Sequence, residues 1–218
     1  MNGKVWLIGA GPGDVELLTL KAVRALGEAH VVLIDDLVNR DVLRFVQAGV
    51  RVIEVGKRGG CRSTPQAFIE RKMVQLAREG LTVARVKGGD PYVFGRGGEE
   101  VETLCRAGIT VEVVSGITAG IGVPAALGIP VTHREICRVV TLVTGNTRSG
   151  EQPDWRALAG SGTTLVIYMG LHNLRRIVEE LQAGGLAPDT PAAVVQQGTV
   201  SGQRLLISRL DQLADAVE

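Results

Sequence analysis

The sequence predicts an α/β protein, built as two α/β domains with a ligand cleft between them. Three observations carry this expectation. Short apolar runs of strand composition alternate with helix-length segments along the chain. Glycine-rich stretches follow several of those runs, where open parallel sheets place their ligand loops. The alternation pauses at GIPVTHR, residues 128–134, and restarts near Val139. The domains are therefore assigned to residues 1–134 and 135–218, and 218 residues are enough to bury a proper core.

In order, residues 4–8 read as a buried strand that runs at once into GAGPGD. A helix over about 17–27 ends at Gly27, and a second strand over 31–34 ends on Asp35 and Asp36. This opening resembles a dinucleotide-binding unit, but the glycines are Gly9, Gly11 and Gly13, which is not the GxGxxG spacing. Asp14 then stands where a diphosphate would need bare amide groups and no anion. A cofactor fits there; a diphosphate does not.

A short helix near 40–47 leads to a strand over 50–55 and to GKRGG. Pro65 opens a helix that runs to about Arg78, since proline suits a first helical turn. The apolar run 81–86 is a strand, 99–107 a helix, 110–114 a strand, and 117–127 a Gly/Ala-rich helix. Pro130 disfavours helix at Ile129, so 128–134 reads as an extended linker. Beyond it, strands are expected at 139–143, 163–168, 192–195 and 205–207, with helices at 155–159, 171–182 and 210–217. The sheet should be mainly parallel and covered on both faces.

The densest stretch is KGGDPYVFGRGGEE, residues 87–100. It holds Gly88, Gly89, Gly95, Gly97 and Gly98 together with Asp90, Arg96, Glu99 and Glu100. Glycine serves where φ must be positive or where a ligand nears the main chain. A surface turn with solvated charges needs no such concentration, so this loop is read as the floor of an active site.

Composition excludes several classes. Lys plus Arg total 24 against 23 for Asp plus Glu, so no overall field calls for nucleic acid or an acidic membrane. Aromatics at 3% are poor material for stacking bases. Cys61, Cys105 and Cys137 lack CxxC spacing and suit reduced thiols of a cytoplasmic protein. His30, His133 and His172 have no partner at ligand spacing, so no metal is expected. Asp35, at a strand end, divides evenly between a turn former and an acid/base group. Met169, before Gly170, reads as core or as a ligand contact.

Taken together, GAGPGD with LLTLKA, DDLV, VGKRGG, KGGDPYVFGRGGEE, GITAGIG, GIPVTHR, TLVIYMG and PAAVVQQGT resemble the tetrapyrrole methylase family across nearly the whole chain. The resemblance implies the tetrapyrrole methylase fold, a homodimer, and S-adenosyl-L-methionine as cofactor with S-adenosyl-L-homocysteine as its product. It implies C-methylation of uroporphyrinogen III, through precorrin-1 to precorrin-2. It places the methyl donor on Pro12, Gly88, Gly89, Asp90, Val93, Thr118, Ala119, Met169 and Gly198. It makes Asp35 the proton acceptor and Lys57 the proton donor. The octacarboxylate substrate calls for guanidinium forks, for which Arg96 and Arg134 are chosen, with Glu99 orienting Arg96 or accepting a pyrrole N–H. Family members add a final apolar strand where this chain stops, so either the second sheet is short or the sequence is a truncated piece. Ile34, Ser115, Asn146 and Gln196 depart from the family pattern.

Two rivals remain. One is a methylase of the same family acting on a later corrin intermediate, disfavoured by the specificity of the central loop. The other is a nucleotide-dependent oxidoreductase, disfavoured by Asp14 and the glycine spacing.

Overall fold

The computed structural model describes residues 2–56, 64–146 and 151–217. It divides into two compact units, Met1–Ala119 and Gly120–Glu218.

The first unit is a five-stranded parallel sheet of β1 (Lys4–Gly9), β2 (Val31–Ile34), β3 (Arg51–Glu54), β4 (Val83–Lys87) and β5 (Thr110–Val114). Its strand order is β3-β2-β4-β1-β5. Because β1 and β2 are buried on both faces, their sequences are near-continuous apolar runs; β4, equally buried, carries Arg85 and Lys87. One face packs Trp6, Ile8, Val32, Ile34, Ala84 and Val86 around Ala22, Ala25 and Leu26 of α1 (Leu20–Gly27). The other packs Val5, Val31, Leu33 and Val83 against α2 (Gln66–Arg78) and α3 (Gly97–Arg106) through Met73, Leu76 and Leu104. The period of two therefore sends Arg85 and Lys87 of β4 to the α2/α3 face, alongside Val83.

Local sequence explains the element ends. Thr19 caps α1 by accepting a hydrogen bond from Ala22 N at 3.1 Å, so the expected helix over 17–27 splits into a 3-10 turn at Val15–Leu17 and α1. Pro65 stands just before α2, as its fixed φ allows. The segment read as a short helix near 40–47 is a 3-10 helix, Arg40–Phe45, capped by Asn39.

The second unit opens with α4 (Ala119–Ala126) and carries a parallel pair, β6 (Val140–Thr144) with β7 (Thr164–Tyr168). It also carries an antiparallel hairpin, β8 (Pro191–Gln196) with β9 (Arg204–Arg209), so not every pairing is parallel. Helices α5 (Trp155–Ala159) and α6 (Leu174–Ala183) enclose its core through Trp155, Ile177, Val178 and Leu181. A short α7 (Leu213–Val217) follows β9. The segment expected to be an extended linker turns back instead. His133 N donates to Cys137 O at 2.6 Å and Cys137 N to His133 O at 2.9 Å, closing a tight loop around Arg134.

Candidate active site

The loops after β1 and β4, neighbours in the sheet, are zipped together at the carboxyl end of the strands. Gly11 N donates to Gly89 O at 3.2 Å, and Gly89 N donates to Gly11 O at 2.7 Å. Gly89 adopts φ +65°, which favours glycine. A third segment enters the same junction. A Cβ on Gly116 would lie 2.2 Å from Gly89 O, and one on Gly9 would lie 2.6 Å from Gly116 N. Three backbones thus meet where side chains cannot fit. Thr118 and Ala119 belong to this cluster, since a Cβ on Gly89 would reach the Thr118 Cα at 3.7 Å and Ala119 N at 3.8 Å.

Asp90 locks the junction. Its Oδ1 accepts from Tyr92 N at 2.8 Å, while its Oδ2 accepts from Gly116 N at 3.1 Å and from the Ser115 hydroxyl. Ser115, which departs from the family pattern, is therefore a working partner of the loop. Val93 N closes a turn onto Asp90 O at 3.2 Å. Asp14 has the place foreseen for it: its carboxylate accepts from Glu16 N at 2.9 Å and caps the short turn after β1. Asn39 Nδ2 donates to Gly13 O at 2.9 Å and pins Pro12 and its neighbours toward the loop after β2.

That loop carries Asp35, whose side chain is 27% exposed. It stands at the mouth of a charge cluster that sequence reasoning missed. Arg85 Nη1 lies 2.7 Å from Asp35 Oδ1 and Lys87 Nζ 3.6 Å from Oδ2. Deeper in, Glu100 Oε1 takes Arg85 Nε at 3.2 Å, Lys87 Nζ at 3.3 Å and Gln66 Nε2 at 3.1 Å. Arg85, Lys87 and Glu100 are all buried. Burial pushes the Lys87 ammonium below its ordinary range and the Arg85 charge adds to this, while Glu100 and Asp35 oppose it. A signal was present in the sequence: VARVK puts two cations on one face of a central, doubly buried strand, which requires internal counter-charges.

Arg96 precedes α3 with φ +59°, and its guanidinium holds Glu99, a hydrogen bond that raises the already high Arg96 pKa. In the second unit, Arg134 lines an open depression of about 500 Å³ with Thr132, His133 and Arg138. Met169, 53% exposed, follows β7 with φ +55°. Gly198 follows β8, and a Cβ there would lie 2.5 Å from a Val123 methyl. Lys57 lies outside the described residues. Among the described residues no group of His, Cys, Asp and Glu could hold a metal ion.

A family model described as Tetrapyrrole (Corrin/Porphyrin) Methylases matches residues 4–214. The chain belongs to this family. It is 57% identical over 213 residues to a uroporphyrinogen-III C-methyltransferase of Pseudomonas aeruginosa, covering 98% of this chain and 86% of that protein. It is 49% identical to an S-adenosyl-L-methionine-dependent uroporphyrinogen III methyltransferase of Methanosarcina barkeri, covering 99% and 86%. Among solved structures, it is similar to the uroporphyrin-III C-methyl transferase of Thermus thermophilus complexed with S-adenyl homocysteine. There the TM-score is 0.84 at 42% identity, covering 98% of this chain and 86% of that one.

The glycine junction of this family member fits an adenosyl sulfonium better than a dinucleotide. The amide that a diphosphate would use at the start of the turn after β1 is already taken by Asp14. At Gly11, Gly89 and Gly116 three main chains pack against one another with their amides already bonded, to one another and to Asp90, so no diphosphate seat is offered there either.

Proposed function

We propose that this protein is an S-adenosylmethionine-dependent C-methyltransferase that converts uroporphyrinogen III to precorrin-2 through precorrin-1. The observation that carries the reading is the Gly11–Gly89 zipper at the carboxyl end of β1 and β4, with Asp14 spoiling a diphosphate site beside it. S-adenosylmethionine, when bound, supplies a methyl group to a nucleophilic carbon. Pro12, Gly88, Gly89, Asp90, Val93, Thr118, Ala119, Met169 and Gly198 would hold it.

The chain's own residues bind, orient and manage protons. An electron-rich pyrrole carbon needs little activation, so positioning dominates the rate. Asp35 accepts the proton that a ring nitrogen gives up when its neighbouring carbon is methylated; Lys57 serves as the donor. Arg96, Glu99 and Arg134 bind the substrate, the arginines through its carboxylates. The three cysteines without disulfide or zinc spacing suit the cytoplasm. No helix among the described residues is long and apolar enough to cross a membrane. The working form is a homodimer.

A calorimetric titration tests the cofactor assignment. Saturable binding of S-adenosylhomocysteine without binding of NAD is expected. Saturable NAD binding with no response to S-adenosylhomocysteine would overturn it.

A further inference from the structure

Four charged groups meet on the α2/α3 face of the first sheet. Only Asp35 reaches solvent appreciably; Arg85, Lys87 and Glu100 are enclosed. Glu100 is fully buried and uses a single oxygen for all three of its donors, Arg85, Lys87 and Gln66. Its other oxygen, Oε2, is buried and has no hydrogen-bond partner among the described residues. A carboxylate satisfied on one side only is a poor device for stability, since an apolar side chain of similar volume would avoid the desolvation cost. Its geometry is instead that of a bracket. It takes both cations of β4 from behind, and the same two cations take Asp35 from the front.

We infer that Glu100 is a positioning residue for methyl transfer, holding Arg85 and Lys87 as paired cations against the Asp35 carboxylate. The inference rests on the reading of Asp35 as proton acceptor. The two cations are matched by two carboxylates, so the buried charges of Arg85 and Lys87 depend on the counter-charge that Glu100 brings. The charged groups acting on Lys87 are Arg85 on its own strand, Glu100 on α3 and Asp35 after β2. Burial and Arg85 favour loss of its proton; Glu100 and Asp35 oppose that loss. Without Glu100, the cluster carries a net positive charge in a buried place. Lys87 is the group able to shed it, because arginine does not deprotonate. A neutral Lys87 no longer pairs with Asp35, and the carboxylate is then held by Arg85 alone.

The test is the pH profile of turnover with uroporphyrinogen III and S-adenosylmethionine. Glu100→Gln keeps the shape and removes the charge, so the alkaline limb should move to lower pH by about one unit or more. Lys87→Arg, which cannot shed its charge, should move that limb to higher pH, where only the proposed donor Lys57 still limits the rate, and cancel the shift in the Glu100→Gln background. A Glu100→Gln profile with its limb in the wild-type place, whether at full or uniformly lowered rate, would overturn the inference. So would a shift that survives in the double variant. If Glu100→Gln fails to fold, Lys87→Arg alone decides: an unmoved alkaline limb overturns the proposal. Asp35→Asn separates the premise. Wild-type turnover in that variant removes Asp35 as proton acceptor, whereas low turnover there with an unshifted Glu100→Gln profile refutes Glu100 alone.

Discussion

Arg96 grips Glu99 through one edge of its guanidinium, with Nε 2.9 Å from Oε1 and Nη2 2.5 Å from Oε2. The pair is exposed, at 39% and 54%, so its worth for folding is small, about 0–1 kcal/mol. On the proposed reading its use is geometric: Glu99 fixes the plane of the Arg96 guanidinium that is to meet a substrate carboxylate. Arg96→Lys keeps the charge and loses the fork. The expected outcome is impaired methylation with S-adenosylhomocysteine affinity near wild type. Full turnover would reduce Arg96 to a surface arginine.

Arg134 invites the same comparison by a different geometry. It sits on a tight loop fastened by the His133–Cys137 hydrogen bonds, and its carbonyl accepts from Arg138 Nε at 2.9 Å. Arg134→Lys should raise the KM for the tetrapyrrole while leaving cofactor binding unchanged. Steady-state kinetics beside a cofactor titration reads both; an unchanged KM counts against the assignment.

Asp90 fastens three donors from two segments at the glycine junction. Asp90→Ala should therefore weaken the methyl donor more than the tetrapyrrole. Losing one charged hydrogen bond costs about 1.5–3 kcal/mol, roughly ten- to a hundredfold in affinity. An unchanged donor dissociation constant would show that Asp90 only shapes a turn.

Much of this was legible in the sequence, for identifiable reasons. The strands β1 and β2 came out near their true bounds because buried parallel strands are apolar nearly throughout, and β5 did so although it is only partly buried and carries Glu112. The start of α2 was fixed by Pro65. The division of the first helix was missed because the cap at Thr19 lies inside an unbroken apolar pattern. The central loop was found by its glycines, but its partner at Gly116 belongs to a distant segment that only the sheet brings close. Arg85 was overlooked because run 81–86 was read for its apolar residues, while Lys87 and Glu100, the two ends of the loop read as an active-site floor, were not recognised as buried partners of each other.

Lys87 also sets a pH dependence of folding. Its folded pKa lies below the ordinary value of 10.5, so the unfolded chain holds the proton more tightly. Between those two values the unfolded state binds more protons, and the stability contributed by this group rises with pH. Below the folded value the penalty is constant. Lys87→Met should remove this alkaline rise in denaturant unfolding; an identical slope in the variant would contradict the assignment.

The most direct test is product mass. Incubation of the purified protein with S-adenosylmethionine and uroporphyrinogen III under anaerobic conditions should yield a dimethylated tetrapyrrole, with a monomethylated species appearing first. An unmethylated tetrapyrrole, from a protein that melts cooperatively and binds S-adenosylhomocysteine, would contradict the account.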